Sequence, residues 1–326
     1  MNPAHSNTST VLPPPSSSDA LHRVDFHAMG TRCSLQFTCA DPQRARAFER
    51  RAVSWVQAFE AKYSRFQPDS LISRINDAAG RDWVQVDATT EALFELCDTL
   101  HHITRGILDP TMLPLIRLWD YKAKTPVIPE ARAITAALEL VGWNKVRRSA
   151  GRVMLPRVGM ALDLGGFGKE YAVDMVAGLA AEHGIAGALV DFGHDMFALG
   201  SPHDAALWHI GLEDPARPGT HNASIAITNK GIASSGDYLR CFVVDGTRYG
   251  HIIDPRDGRP VSNGCTQTTV VADNCLLAGV LSTTAFVLGP RLGLEFIESF
   301  PGAEGLITTS IARAQTKGFF NHVVAT

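Results

Sequence analysis

A chain of 326 residues with 45% hydrophobic and 19% charged side chains has the composition of a globular protein long enough to bury a large core, and not of a disordered one. The formal charge of −3, with no basic stripe interleaved with aromatics, excludes nucleic acid as a partner. No apolar run reaches the roughly 18 residues that would span a bilayer, so no direct membrane insertion is expected.

Met1 to Ala20 is rich in Ser, Thr and Pro, with no charged start, no apolar run and no cysteine for a lipid. Residues 1–21 are therefore expected as a disordered tail before one domain over 22–326, without a signal peptide. Six cysteines without a C-x-x-C pair read as free thiols of a reducing compartment, and the expected location is cytoplasmic.

From Phe26 to Thr31 the chain leads into the alternating run Cys33 to Phe37, a half-buried strand. Asp41-Pro42 starts a helix as N-cap and first residue, and Phe48, Ala52, Trp55, Val56, Phe59 and Tyr63 follow a period near 3.6. A second helix is predicted over Thr89–Thr104, capped by Asp87. It delivers the turn Gly106 to Thr111. Pro129 starts a short helix to Val141, and a hairpin centres on Ala150-Gly151.

Ala161 to Leu164 reads as a strand, Gly165-Gly166-Phe167-Gly168 as a turn, and Lys169 onward as a helix. Free N–H groups and the macrodipole at such a helix start favour an anion, and Lys169 adds charge. The spacing is neither a Walker A loop nor a dinucleotide fingerprint; alone, the block fits an anion site and a plain strand–turn–helix equally well. A parallel-type return strand is expected over Ala188–Phe192, ending in Gly193-His194-Asp195. Ser234, Ser235 and Gly236 precede a hairpin turned at Asp245-Gly246, a dipeptide that accepts positive φ at both positions. His251 and Asp254 follow it. After a strand at Thr266–Ala272 come a helix over Leu276–Leu288, another after Pro290 and a strand at Leu306.

Ser-Gly-Asp-Tyr at 235–238, the hairpin, and His-Ile-Ile-Asp-Pro-Arg-x-Gly-x-Pro at 251–260 together resemble the signature of the ApbE-type flavin transferases. These enzymes cut FAD and attach FMN to a protein threonine. The resemblance extends from Phe26 to Pro301. It implies an α+β, T-fold-like architecture of helices on largely antiparallel sheets, with FAD between sub-lobes. In the first half it brings Met29, Phe66 as a stacking aromatic, Leu108, Asp109 and Thr111 to the FAD site. From the middle block it brings Asp163, Lys169 and Asp195. From the hairpin it brings Ser235, Gly236, Arg240, Ile252 and Asp254. The carbonyl near Gly166 and the Thr283 hydroxyl are implied ligands of Mg²⁺. His251 is the expected general base, because an imidazole titrating near neutrality suits deprotonation of a hydroxyl. The implied partner is an acceptor protein, an electron-transfer subunit, carrying the threonine.

The sequence departs from the family pattern at three places: Glu170 stands for glycine after the lysine, His194 for glycine, and Gly279 for the metal-ligand aspartate. Loss of that aspartate is expected to weaken the cation site, since Mg²⁺ favours carboxylate oxygens, and returning Asp to 279 is expected to raise activity. The alternatives are a flavin-binding homologue without transfer, and a pyrophosphatase that releases FMN and AMP from FAD.

Overall fold

The computed structural model describes residues 20–123 and 125–324. The tail expected over 1–21 lies outside the described residues up to position 19; Ala20 and Leu21 belong to the first strand. An eight-stranded sheet runs through the molecule. It starts with β1 (Ala20–Ala28) and β2 (Thr31–Cys39). The helix α1 (Pro42–Tyr63) follows, and the Asp41 carboxylate accepts from the N–H groups of Gln43 and Arg44, as its N-cap position predicts. A lobe of short elements comes next: α2 (Leu71–Asp77), β3 (Val84–Gln85), α3 (Ala88–Ile103), α4 (Leu113–Leu118), α5 (Ala131–Leu138), β4 (Arg147–Ser149) and β5 (Arg152–Met154). The chain then returns through α6 (Gly168–Glu182), β6 (Ala188–Phe192) and β7 (Asp195–Leu199). A ribbon of β8 (Trp208–Glu213) and β9 (His221–Ile227) precedes β10 (Lys230–Gly236), the hairpin β11 (Cys241–Val244) and β12 (Thr247–Gly250), and the two-residue strands β13 (Ile253–Asp254) and β14 (Arg259–Pro260). The last elements are β15 (Cys265–Ala272), α7 (Cys275–Leu288), α8 (Pro290–Glu298), β16 (Glu304–Thr309) and β17 (Arg313–Gln315).

The main sheet has the order β1-β2-β6-β7-β10-β15-β16-β17, antiparallel at every pairing, which is the expected α+β architecture. The parallel-type return strand is not realised, because both neighbours of β6 run against it. Period-2 side chains of β2 and β6, including Leu35, Phe37, Val190 and Phe192, bury one face under α1 and α6. Further along, α7 and α8 cover β10, β15 and β16 through Leu281, Phe286 and Ile297. The opposite face packs on the β8–β9 ribbon through Ile210, Ile227, Ile232 and Val271. A separate core joins α2, α3 and the start of α6 (Phe94, Trp143, Phe167), and another joins α4 and α5 to the hairpin. In that last core the Trp119 indole donates to the Gly258 carbonyl at 2.7 Å. Among the described residues no helix is long and apolar enough to cross a membrane, and the six cysteines are free.

Candidate active site

One of the expected local structures is replaced. Ala161–Leu164 forms no strand: Asn76 on α2 pairs with Leu162 through both its amide oxygen (2.6 Å) and nitrogen (3.0 Å), and the Asp163 N–H donates to the Pro110 carbonyl. Ser234, Ser235 and Gly236 precede the β11–β12 hairpin as expected, and they are themselves the end of β10, paired with Thr269, Thr268 and Gln267 of β15. Gly236 serves close packing there, since a Cβ would lie 2.9 Å from the Thr266 carbonyl oxygen.

The glycine turn delivers Lys169 at the first turn of α6, and β6 and β7 bring Asp195 to it. Gly193 and His194 form the two-residue link of that hairpin, both with positive φ (68° and 74°), which explains why glycine is the natural occupant of position 194. His194 is exposed; its N–H donates to the Asp191 carboxylate. The Lys169 ammonium donates to Asp195 Oδ2 and lies 3.6 Å from Glu170 Oε1, with 22% of its side chain exposed. Burial opposes the charge on Lys169, but Glu170 and Asp195 outweigh it and hold the amine well above the ordinary lysine pKa. Burial is also the main influence on Glu170, and with Asp195 it raises the carboxyl above the usual glutamate value against the pull of Lys169.

Glu170 points across to α7 at Gly279: a Cβ built there would lie 2.5 Å from Glu170 Cγ and 3.0 Å from its Oε1. One side-chain oxygen of Glu170, Oε2, is buried with no hydrogen-bond partner among the described residues. One turn along α7, the Ser235 hydroxyl bonds to those of Ser282 (2.9 Å) and Thr283 (2.8 Å). The helix pair is held by a residue to which the sequence reading gave no role. Asp174 of α6 accepts the N–H groups of both Cys275 and Leu276, at 2.8 Å each, and so caps α7. Asp273, just before α7, pairs with Lys230 at 2.6 Å and is exposed.

At the glycine turn, Asp163 accepts from Arg65 Nε (2.8 Å) and from the Gly165 N–H (2.9 Å). Gly166 is open on the surface, with Leu108 Cδ1 3.7 Å from where its Cβ would be. Phe66 is 74% exposed, with the Arg65 guanidinium 4.1 Å from its ring centre. Met29 sits in the left-handed turn of β1–β2 (φ 52°), partly buried on the first core.

On the hairpin side, the His251 N–H donates to the carbonyl of the exposed Arg240, the Ile252 carbonyl accepts from Val261, and the Tyr121 ring lies 5.9 Å from the imidazole. His251 Nδ1 is buried without a partner among the described residues. Burial first, then the charges of Arg240 and Lys169, lower its pKa to about 4. The expectation of an imidazole titrating near neutrality is corrected: the buried ring is neutral at pH 7. That Lys169 is among the influences puts the two halves of the site in each other's field.

Three expected ligand side chains are already committed to the fold. Asp109 accepts from the N–H (2.8 Å) and hydroxyl (2.5 Å) of Thr111 and from the Trp143 N–H (2.9 Å), with His101 Nε2 at 3.4 Å. Thr111, fully buried, also accepts from the Gly142 N–H. Asp254 is held by its own turn, where Arg256 donates to both its oxygens. These hydrogen bonds position the loops that carry the three side chains.

Among the described residues no three His, Cys, Asp or Glu side chains form a metal cage. The donor set suits a hard cation that completes its shell with substrate phosphates: an orphaned carboxylate oxygen, a hydroxyl and main-chain carbonyls.

The chain is similar to known proteins in sequence and in fold. The model of the ApbE family matches residues 29–307. The FAD:protein FMN transferase of Treponema pallidum (strain Nichols) is 30% identical over 295 residues, covering 85% of this chain and 82% of that protein. The FAD:protein FMN transferase of Klebsiella pneumoniae (strain 342) is 30% identical over 282 residues, 84% of this chain and 80% of its own. The crystal structure of the ApbE protein of Thermotoga maritima superposes with a TM-score of 0.83 at 29% identity, over 94% of this chain and 100% of that one. The apo flavinyl transferase ApbE of Pseudomonas stutzeri gives 0.83 at 25% identity, over 94% and 98%. With motifs, antiparallel sheet and a family match over residues 29–307 in agreement, this chain belongs to the ApbE family.

Proposed function

We propose that this protein is an FAD:protein FMN transferase acting on a threonine of an acceptor protein, an electron-transfer subunit. The observation that carries the reading is the cationic Lys169 at the first turn of α6, in electrostatic reach of the neutral base His251. In the transfer, the threonine oxygen bonds to the FMN phosphorus, the pyrophosphate P–O bond breaks, and AMP leaves with the electron pair. The hydroxyl proton passes to the imidazole of His251, where Nδ1 has no competing partner among the described residues. Lys169 offsets phosphate charge, and Asp195 fixes the amine in place. Arg240 and Ser235 hold substrate oxygens, and the exposed Phe66 offers a stacking face to the flavin nucleotide.

Mg²⁺ fits the oxygens around Glu170 Oε2, and the Thr283 hydroxyl and the carbonyl near Gly166 would share in holding it. Bound there, the ion would supply charge to offset what gathers on the departing AMP. The free thiols support a reducing, cytoplasmic location.

The test is incubation with FAD, Mg²⁺ and an acceptor domain, followed by the acceptor's mass and the AMP released. An FMN adduct with one AMP per adduct is expected. AMP with free FMN and no adduct would instead make the protein a pyrophosphatase, and FAD retained without AMP would make it a flavin-binding homologue.

A further inference from the structure

Two of the departures from the family pattern, Glu170 and Gly279, are one event in space. They lie on different helices, 109 positions apart by number (279 − 170), yet the Glu170 side chain occupies the volume that any side chain at 279 would need, with Cγ 2.5 Å and Cδ 3.0 Å from an ideal Cβ. A carboxylate-bearing residue at 279 and an extended glutamate at 170 are therefore mutually exclusive. The sequence holds one acid across the two positions, as the family pattern does, on the opposite helix. The Glu170 side chain is only 9% exposed, and its Oε2 has no hydrogen-bond partner among the described residues. An ionised oxygen left without a partner in such a place is costly unless something else uses it. Thr283 lies four residues from Gly279 on the same face of α7, within about 6 Å, and its hydroxyl bonds to that of Ser235.

We infer that Glu170, delivered from α6, supplies the carboxylate ligand of the divalent-cation site in place of an aspartate on α7, and that Gly279 is the opening that admits it. The inference rests on the transferase reading for the identity of the site, but its test does not depend on transfer. On this assignment Asp at 279 alone does not restore the site. In Gly279→Asp the new side chain meets Glu170, and two carboxylates compete for one space beside a single lysine. The exchange works only when both positions change together.

The test is Mn²⁺ binding by electron paramagnetic resonance on the full-length protein, with and without FAD, with FAD uptake followed separately by flavin fluorescence quenching. The wild type is expected to take up one Mn²⁺ displaced by Mg²⁺. The isosteric Glu170→Gln is expected to weaken it about tenfold or more while metal-free FAD uptake persists. Gly279→Asp is expected to be as weak as Glu170→Gln, and the double change Glu170→Gly with Gly279→Asp to recover wild-type Mn²⁺ affinity. Retained Mn²⁺ affinity in Glu170→Gln overturns the inference whether or not the double variant folds. So does a folded double variant no better than Gly279→Asp, or a wild type that takes up FAD but no Mn²⁺. If instead Mn²⁺ binds and depends on Glu170 while FAD is never taken up, the carboxylate assignment stands and the transferase reading falls.

Discussion

Asp109 and Glu170 are both buried acids in motif segments, but their surroundings are opposite. Asp109 has the N–H groups of Thr111 and Trp143, the Thr111 hydroxyl and His101 directed at it, so its acceptor capacity is filled by the protein itself. Glu170 has one oxygen near Lys169 and another with no partner among the described residues. The first arrangement stabilises a loop; the second sacrifices stability to keep an oxygen available. Residue type brings an acid to the site, and the donors around it decide whether it holds the fold or meets a ligand.

The largest expected effect falls on the open side of this comparison. Lys169→Met should lower kcat/KM for FMN transfer by about 10³-fold, because it removes phosphate neutralisation and strands two carboxylates; single-turnover AMP release measures it. On the closed side, Asp109→Ala should cost about 3 kcal/mol of stability in urea unfolding, with FAD affinity of the folded protein unchanged. A loss of FAD affinity at unchanged stability would move Asp109 to the open class and break the contrast.

His251 tests the same division by pH. Its folded pKa of about 4 lies below the ordinary value of 6.5, so the fold disfavours the imidazolium. The stability tied to the neutral ring is fully present above pH 6.5 and is lost as pH falls toward about 4, amounting to about 3 kcal/mol. His251→Asn should flatten stability over that window. The acid limb of kcat/KM in the wild type should fall near pH 4 to 5, and a limb at 6.5 would contradict the buried geometry. The smallest effect is expected at His194→Gly, which relieves a left-handed backbone (φ 74°) and should add up to about 1 kcal/mol, read as a rise in Tm.

Much of this was legible in the sequence where local rules decide. Asp41 and Asp87 cap their helices as their positions predict, and Asp245-Gly246 adopts the positive φ values (49° and 75°) of its turn. The motif blocks bring Lys169 to Asp195 and Ser235 to Thr283, with His251 in the field of Lys169. What the sequence hid depends on partners far along the chain. Ala161–Leu164 has a strand's pattern, but Asn76 takes the place of a neighbouring strand. Ser234 and Ser235 look like loop residues, yet their hydroxyls bond to Thr269, Ser282 and Thr283, which lets polar side chains sit in β10. Side-chain commitment, as at Asp109 and Asp254, is invisible until the donors are in place.

The double capping by Asp174 has a mechanical consequence. By gripping the first two N–H groups of α7 it prevents the two helices from sliding, so residue 170 always stands over 279, four places before 174 on one helix and four after 275 on the other. Such a clamp makes the two rods interchangeable as mounts: a chemical group can be bolted to either one and still arrive at the same point. Loosening the clamp should blur that point before it unfolds the protein.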